Sequence, residues 1–141
     1  MGTIRNAGQG ANAGTTTAAL AFGGESPSLT VNTELWNGTS WTELNNMNTA
    51  KGSAGGNGIS TAALAFAGNT APANQSVINE FWNGTSWTEL NDLGTGLSSG
   101  IAPAGGAVAG LASGGQSGPT TQNTVSQEFT ADATLSTVTV S

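Results

Sequence analysis

The chain has 141 residues, 22 of them glycine, with no cysteine, histidine or tyrosine, and only 7% of it is charged, against about 25% in ordinary soluble domains. Its formal charge of -6 combines eight acidic residues with two basic ones, Arg5 and Lys51, too few cations for phosphate-backbone binding or for attraction to an anionic membrane. The composition also excludes Ser-His-Asp triads, thiol nucleophiles and zinc sites of the usual kind, and no cofactor is expected.

In chain order, the N-terminal MGTIRNAGQG at 1–10 has no apolar core of the kind a signal peptide carries, and the first feature is a glycine-rich stretch, NAGQGANAG at 6–14. TAALAFGG follows at 17–24 and ELWNGTSWTELN at 34–45. The succession then returns as GSAGGNG at 52–58, TAALAFAG at 61–68 and EFWNGTSWTELN at 80–91, so that Trp36 and Trp82 stand 46 residues apart. A diverged third succession comprises SSGIAPAGG at 98–106, AGLASGG at 109–115 and QEFTADATLSTVT at 127–139. Matching its Glu-Phe dipeptide to the second copy aligns Glu128 with Glu80, Phe129 with Phe81, Leu135 with Trp87 and Val138 with Leu90. Self-similarity at this period marks a repeat architecture. The three units are 1–48, 49–94 and the divergent 95–141. No apolar run in any of them is long enough to span a bilayer as a helix.

Within a unit nothing has helical periodicity. The TAALAF runs read as short strands buried on both faces, their alanines permitting close approach of neighbouring layers. The glycine-rich stretch ahead of each reads as a tightly packed inner strand. Asn37-Gly38 and Asn83-Gly84 lie between strand-like runs, a strong hairpin signal. A two-residue loop there pairs Trp82 with Thr85, Phe81 with Ser86 and Glu80 with Trp87. It puts Trp82, Glu80 and Trp87 on one face and Phe81 and Leu90 on the other. Asn37, Asn83 and Asn74 also fit the glycosylation sequon, but at the first two the turn accounts for Asn-Gly. Each unit is thus expected to be an all-β, four-stranded sheet.

These residues resemble a known family. The glycine pair after an apolar strand (Gly23-Gly24, Gly114-Gly115, softened to Ala67-Gly68) is similar to the kelch double glycine. The aromatic pairs Trp36/Trp41 and Trp82/Trp87 are similar to the kelch aromatic pair, although more closely spaced and without the usual tyrosine. Lys51 stands where kelch repeats often carry a basic residue. The whole pattern resembles the degenerate kelch-like repeats of bacteriophage virion proteins, especially tail fibres and other appendages. The resemblance implies three kelch-like propeller blades per chain and a virion or extracellular location.

Propeller rings contain four to eight blades, so three leave two apolar blade faces uncovered. Two copies would close a six-bladed ring, which is the expected assembly, with a trimer or a filament as alternatives. Glu34, Glu80 and Glu128 recur at equivalent places, which points to architecture rather than to metal binding or glycoside cleavage. Trp36, Trp41, Trp82, Trp87 and Leu135 are expected to fill the space between blades. The copies differ most at 25–32, 69–76 and 116–124, where a scaffold would display variable contacts. The expected function is a non-enzymatic structural and recognition module contacting a host surface, such as a glycan, or another virion protein. The alternative is a stand-alone carbohydrate-binding lectin using those loops.

Overall fold

The computed structural model describes residues 2, 5–6, 9–10, 14–25, 27–72, 74–106, 108–118, 120–124, 126–130 and 139–140. Among them there is no helix, hence none long and apolar enough to cross a membrane. They form three antiparallel four-stranded sheets. The first comprises β1 (Gln9–Gly10), β2 (Ala19–Phe22), β3 (Thr33–Trp36) and β4 (Trp41–Glu43). The second comprises β5 (Gly55–Ile59), β6 (Ala62–Phe66), β7 (Asn79–Trp82) and β8 (Trp87–Glu89), and the third β9 (Ser98–Gly105), β10 (Ala109–Gln116), β11 (Ser126–Thr130) and β12 (Thr139–Val140). In each sheet the strands lie side by side in chain order and pair antiparallel, as a meander.

Neighbouring sheets approach most closely along their inner strands, β1 beside β5 and β5 beside β9. Glycine makes that approach possible. A Cβ on Gly55 would lie 2.6 Å from the Phe66 ring and 3.1 Å from Ile101 of the third sheet. The Asn57 amide donates across the same gap to the Ala104 carbonyl at 2.8 Å.

Two apolar layers lie between the sheets. The first joins Leu20 and Phe22 of β2 to Ala63 and Ala65 of β6, with Trp82, Trp87 and Met47 around them. The second joins Leu64 and Phe66 to Leu97 and Ala112 of the third unit, with Phe81 and Leu90 packed against it. Strand residues alternate between faces. Ala63 and Ala65 of β6 therefore look toward the first sheet and Leu64 and Phe66 toward the third, and this central run is apolar throughout because both its faces are covered.

The glycine pair after the second strand of each sheet follows from backbone geometry. Its first member sits in the left-handed well, with φ +60° at Gly23, +52° at Ala67 and +70° at Gly114. The second lies further out, at +101° for Gly24, +92° for Gly68 and +89° for Gly115. An L residue tolerates the left-handed well at modest cost, whereas φ near +90° falls outside it. This is why alanine replaces the first glycine in the second unit and never the second.

The hairpin register differs from the sequence expectation. Trp82 pairs with Trp87, Phe81 with Thr88 and Glu80 with Glu89, and the first sheet repeats this with Trp36 opposite Trp41. The loop therefore holds four residues, 83–86. The Asn83 N–H donates to the Ser86 carbonyl, while the Asn83 side-chain oxygen takes the Thr85 and Ser86 N–H groups at 2.9 Å each. The asparagine side chain thus makes the turn, as in an Asx turn, and Gly84 alone needs positive φ, +94°. The partner moved by two residues, an even number, so the faces stay as expected: Trp82 and Trp87 join the first apolar layer, Phe81 and Leu90 the second.

Candidate functional site

Among the described residues, two buried ion pairs stand where a sheet meets the segment that leads into it. Glu80, on β7, is fully buried. Its Oε2 accepts the Asn48 N–H at 2.7 Å and the Asn48 side-chain amide at 3.1 Å, and its Oε1 accepts the Thr49 N–H at 3.0 Å. The Lys51 ammonium, also fully buried, lies 3.7 Å from Oε1 and donates to the Ile78 carbonyl at 2.9 Å. Glu80 therefore anchors the link between the first and second sheets, and the link's only cation neutralises it.

The first unit repeats the arrangement 46 residues earlier. Glu34 accepts the Gly2 N–H and pairs with the Arg5 guanidinium. Arg5 also donates to the Gly23 and Asn32 carbonyls at 2.9 and 3.2 Å. Gly2, Arg5 and Asn32 hold the places of Asn48, Lys51 and Ile78. Arg5 was not expected as the partner of Glu34, although its 46-residue distance from Lys51 equals that between Trp36 and Trp82.

The third unit corrects the expectation for Glu128. Ala112 pairs with Gln127 and Leu111 with Glu128, whereas in the second unit Ala65 pairs with Glu80 and Leu64 with Phe81. Gln127 thus holds the place of Glu80, Glu128 that of Phe81, and Phe129 the register position of Trp82. Glu128 is exposed, and Gln127 is fully buried. A one-residue shift in a strand exchanges its two faces, and the shared Glu-Phe dipeptide concealed that shift. Gln127 performs the work of Glu80 without charge: its oxygen accepts the Thr95 N–H at 3.1 Å and its amide donates to the Thr95 carbonyl at 3.3 Å. The place of Lys51 is taken by Leu97, fully buried. At this equivalent place the three units therefore hold Arg5 with Glu34, Lys51 with Glu80, and Leu97 with Gln127. Where the cation is lost the carboxylate is lost too, because a buried charge without a partner is strongly unfavourable.

The two tryptophan pairs hold equivalent register positions in the first two sheets. Trp82 and Trp87 are buried, with ring centroids 5.6 Å apart. Trp87 meets Phe22 of the first sheet edge-on at 4.9 Å and donates its indole N–H to the Thr33 hydroxyl at 2.9 Å. Trp36 and Trp41 form the same pair at 5.6 Å, half-buried, on the face of the first sheet that looks away from the second. Trp36 donates to the Thr16 carbonyl as Trp82 does to that of Ser60. Among the described residues the Trp41 indole has no acceptor corresponding to Thr33. Asn37, Gly38, Asn83 and Gly84 are exposed hairpin residues, and Leu135 lies outside the described residues.

Among the described residues no three acidic side chains cluster closely enough to hold a metal ion. Glu34 and Glu80 each stand opposite an exposed partner on the next strand, Glu43 and Glu89. The buried member of each pair is closed off from solvent and spent on the backbone and a cation.

Burial lowers the Lys51 ammonium from 10.5 to about 8, against the opposing pull of Glu80. The folded state therefore releases this proton at lower pH than the unfolded chain. Folding stability is expected to be lowest below about pH 8 and to rise as pH climbs to about 10.5, by about 3 kcal/mol at 1.36 kcal/mol per unit. With no histidine, cysteine, tyrosine or second lysine in the chain, no other side chain titrates in that range. Urea unfolding midpoints at pH 7.5 and 10.5 check it; a flat or falling profile contradicts a desolvated Lys51.

Compared with protein-family models and with curated proteins, the chain matches none.

Proposed function

We propose that the protein is a non-enzymatic structural and recognition module: a kelch-like propeller array that belongs to a phage virion or tail appendage, works outside the cell and contacts a host surface or another virion protein. One observation carries this reading. Arg5, Glu34, Lys51 and Glu80 are all enclosed in joints between strands and links, while the segments that differ between units carry exposed polar residues. The variable segments 25–32, 69–76 and 116–124 each come at the end of the second strand of a sheet. Their exposed residues include Ser28, Asn74, Thr120, Thr121 and Gln122, hydroxyls and amides suited to hydrogen-bonding a polar surface such as a glycan. On this reading the blades are the scaffold, the variable segments are the contact, and the stack is completed by further copies of the chain.

The purified chain is expected to bind a cell surface or surface polysaccharide and to leave the polysaccharide uncleaved. Replacing Ser28, Asn74 and Thr121 together by alanine should reduce binding at least tenfold with the melting temperature unchanged. Binding indifferent to all three would remove the variable segments from the account. Strong binding to a defined sugar with no virion partner present would favour a stand-alone lectin. Release of sugar products would overturn the non-enzymatic reading.

A further inference from the structure

We infer that the outer face of the first sheet is a socket for the third sheet of a second copy, joined through Trp41 of one chain and Ser126 of the other; this rests on the reading of the chain as part of a larger stack. The argument comes from the joints already inside the chain. At the first, the Gly24 N–H donates to the Lys51 carbonyl at 2.8 Å, and at the second the Gly68 N–H donates to the Leu97 carbonyl at 2.9 Å. The glycine pair thus receives the leading segment of the following unit. Arg5 holds the place of Lys51 and Leu97 in the first unit, so its carbonyl is the counterpart group for a preceding glycine pair.

The third unit keeps the receiving half of this joint. Gly114 and Gly115 retain the two positive φ angles. The Asn123 N–H donates to the Gly115 carbonyl at 2.9 Å, as Ser76 does to Gly68 at 2.8 Å and Thr30 to Gly24 at 2.9 Å. Ser126 stands opposite Ser113 in the register position of Thr33 opposite Phe22, and it offers a hydroxyl where Thr33 accepts the Trp87 indole. On the other side, Trp41 holds the position of Trp87 and among the described residues lacks that acceptor. Leu111 completes the match in the place of Leu20.

The two halves differ from the joints within the chain at two points. Ser113 replaces the phenylalanine that meets Trp87 edge-on, and the exposed Glu128 replaces Leu35 or Phe81. The joint between copies therefore has the hydrogen bonds of the internal joints without their aromatic plug, and it is the first to separate on dilution. Two chains joined reciprocally place six sheets in one closed stack.

Sedimentation velocity across a dilution series tests this with three full-length chains. The unaltered chain should dissociate reversibly from a two-chain species. Ser113→Phe should shift its midpoint at least tenfold toward tighter association by restoring the plug. Trp41→Ala should shift it at least tenfold the other way while keeping the far-ultraviolet circular dichroism of the parent. A two-chain species whose midpoint ignores both changes would overturn this socket and leave assembly intact. A single-chain species at every concentration, with Ser113→Phe included, would overturn the stack reading itself, and chains that only grow into open polymers would overturn reciprocal closure.

Discussion

Replacing Glu80 by glutamine alone is expected to lower the unfolding free energy by roughly 3 kcal/mol, the scale for removing one member of a buried ion pair. Two effects act together. The Lys51 ammonium, already disfavoured by burial with the carboxylate beside it, loses its counter-charge. The new amide also keeps only one acceptor oxygen, so its NH2 group must face either the Asn48 or the Thr49 N–H donor that the carboxylate accepts. Adding Lys51→Leu is expected to recover most of the loss, because the double change recreates the Leu97 and Gln127 joint that the third unit already uses. Urea titrations of the two single variants and the double variant measure the coupling. A double variant no more stable than Glu80→Gln would show that the charged and neutral joints are not alternative solutions to one packing problem.

The second large effect is expected at Gly68. A Cβ there would lie 2.7 Å from the Gly52 carbonyl oxygen and 2.9 Å from both Cα and Cβ of Ala54, on a backbone with φ +92°. Left-handed strain for an L residue is about 1–2 kcal/mol, and forced displacement of packed backbone adds about 1–3 kcal/mol. Gly68→Ala should therefore cost about 3 kcal/mol and break the Gly68 to Leu97 hydrogen bond that joins the second sheet to the third. Ala67→Gly is the control. It relaxes φ +52° but deletes a fully buried methyl, and these opposing effects should leave stability within about 1 kcal/mol of the parent. Thermal and urea unfolding of both variants decide the matter; equal losses at the two positions would contradict the geometric distinction drawn between the paired residues.

Much of this architecture was legible in the sequence. The apolar runs, the glycine-rich inner strands and the face assignments of Trp82, Trp87, Phe81 and Leu90 follow from composition and period-two alternation. The hairpin register was not, because Asn83 closes the turn through its side-chain oxygen, and an Asn-Gly pair does not reveal which of two geometries it serves. The third unit misled for a related reason. Its Glu128-Phe129 matches Glu80-Phe81 in identity, while burial selects Gln127 as the equivalent. The only warning lay elsewhere in the chain, at Leu97: once a leucine stands in the place of Lys51, an acidic residue in the place of Glu80 would be a buried charge without a partner. Arg5 was legible in principle through its 46-residue distance from Lys51, but one arginine in a low-complexity stretch carries little pattern of its own.

Three sheets joined by a recurring contact, with a half-joint at each end, make assembly the property on which the functional account depends. The mass of the 141-residue chain in solution tests it most directly. Sedimentation equilibrium at neutral pH is predicted to show a species of two 13.8 kDa chains that dissociates on dilution. A monodisperse 13.8 kDa monomer at every concentration would contradict the account.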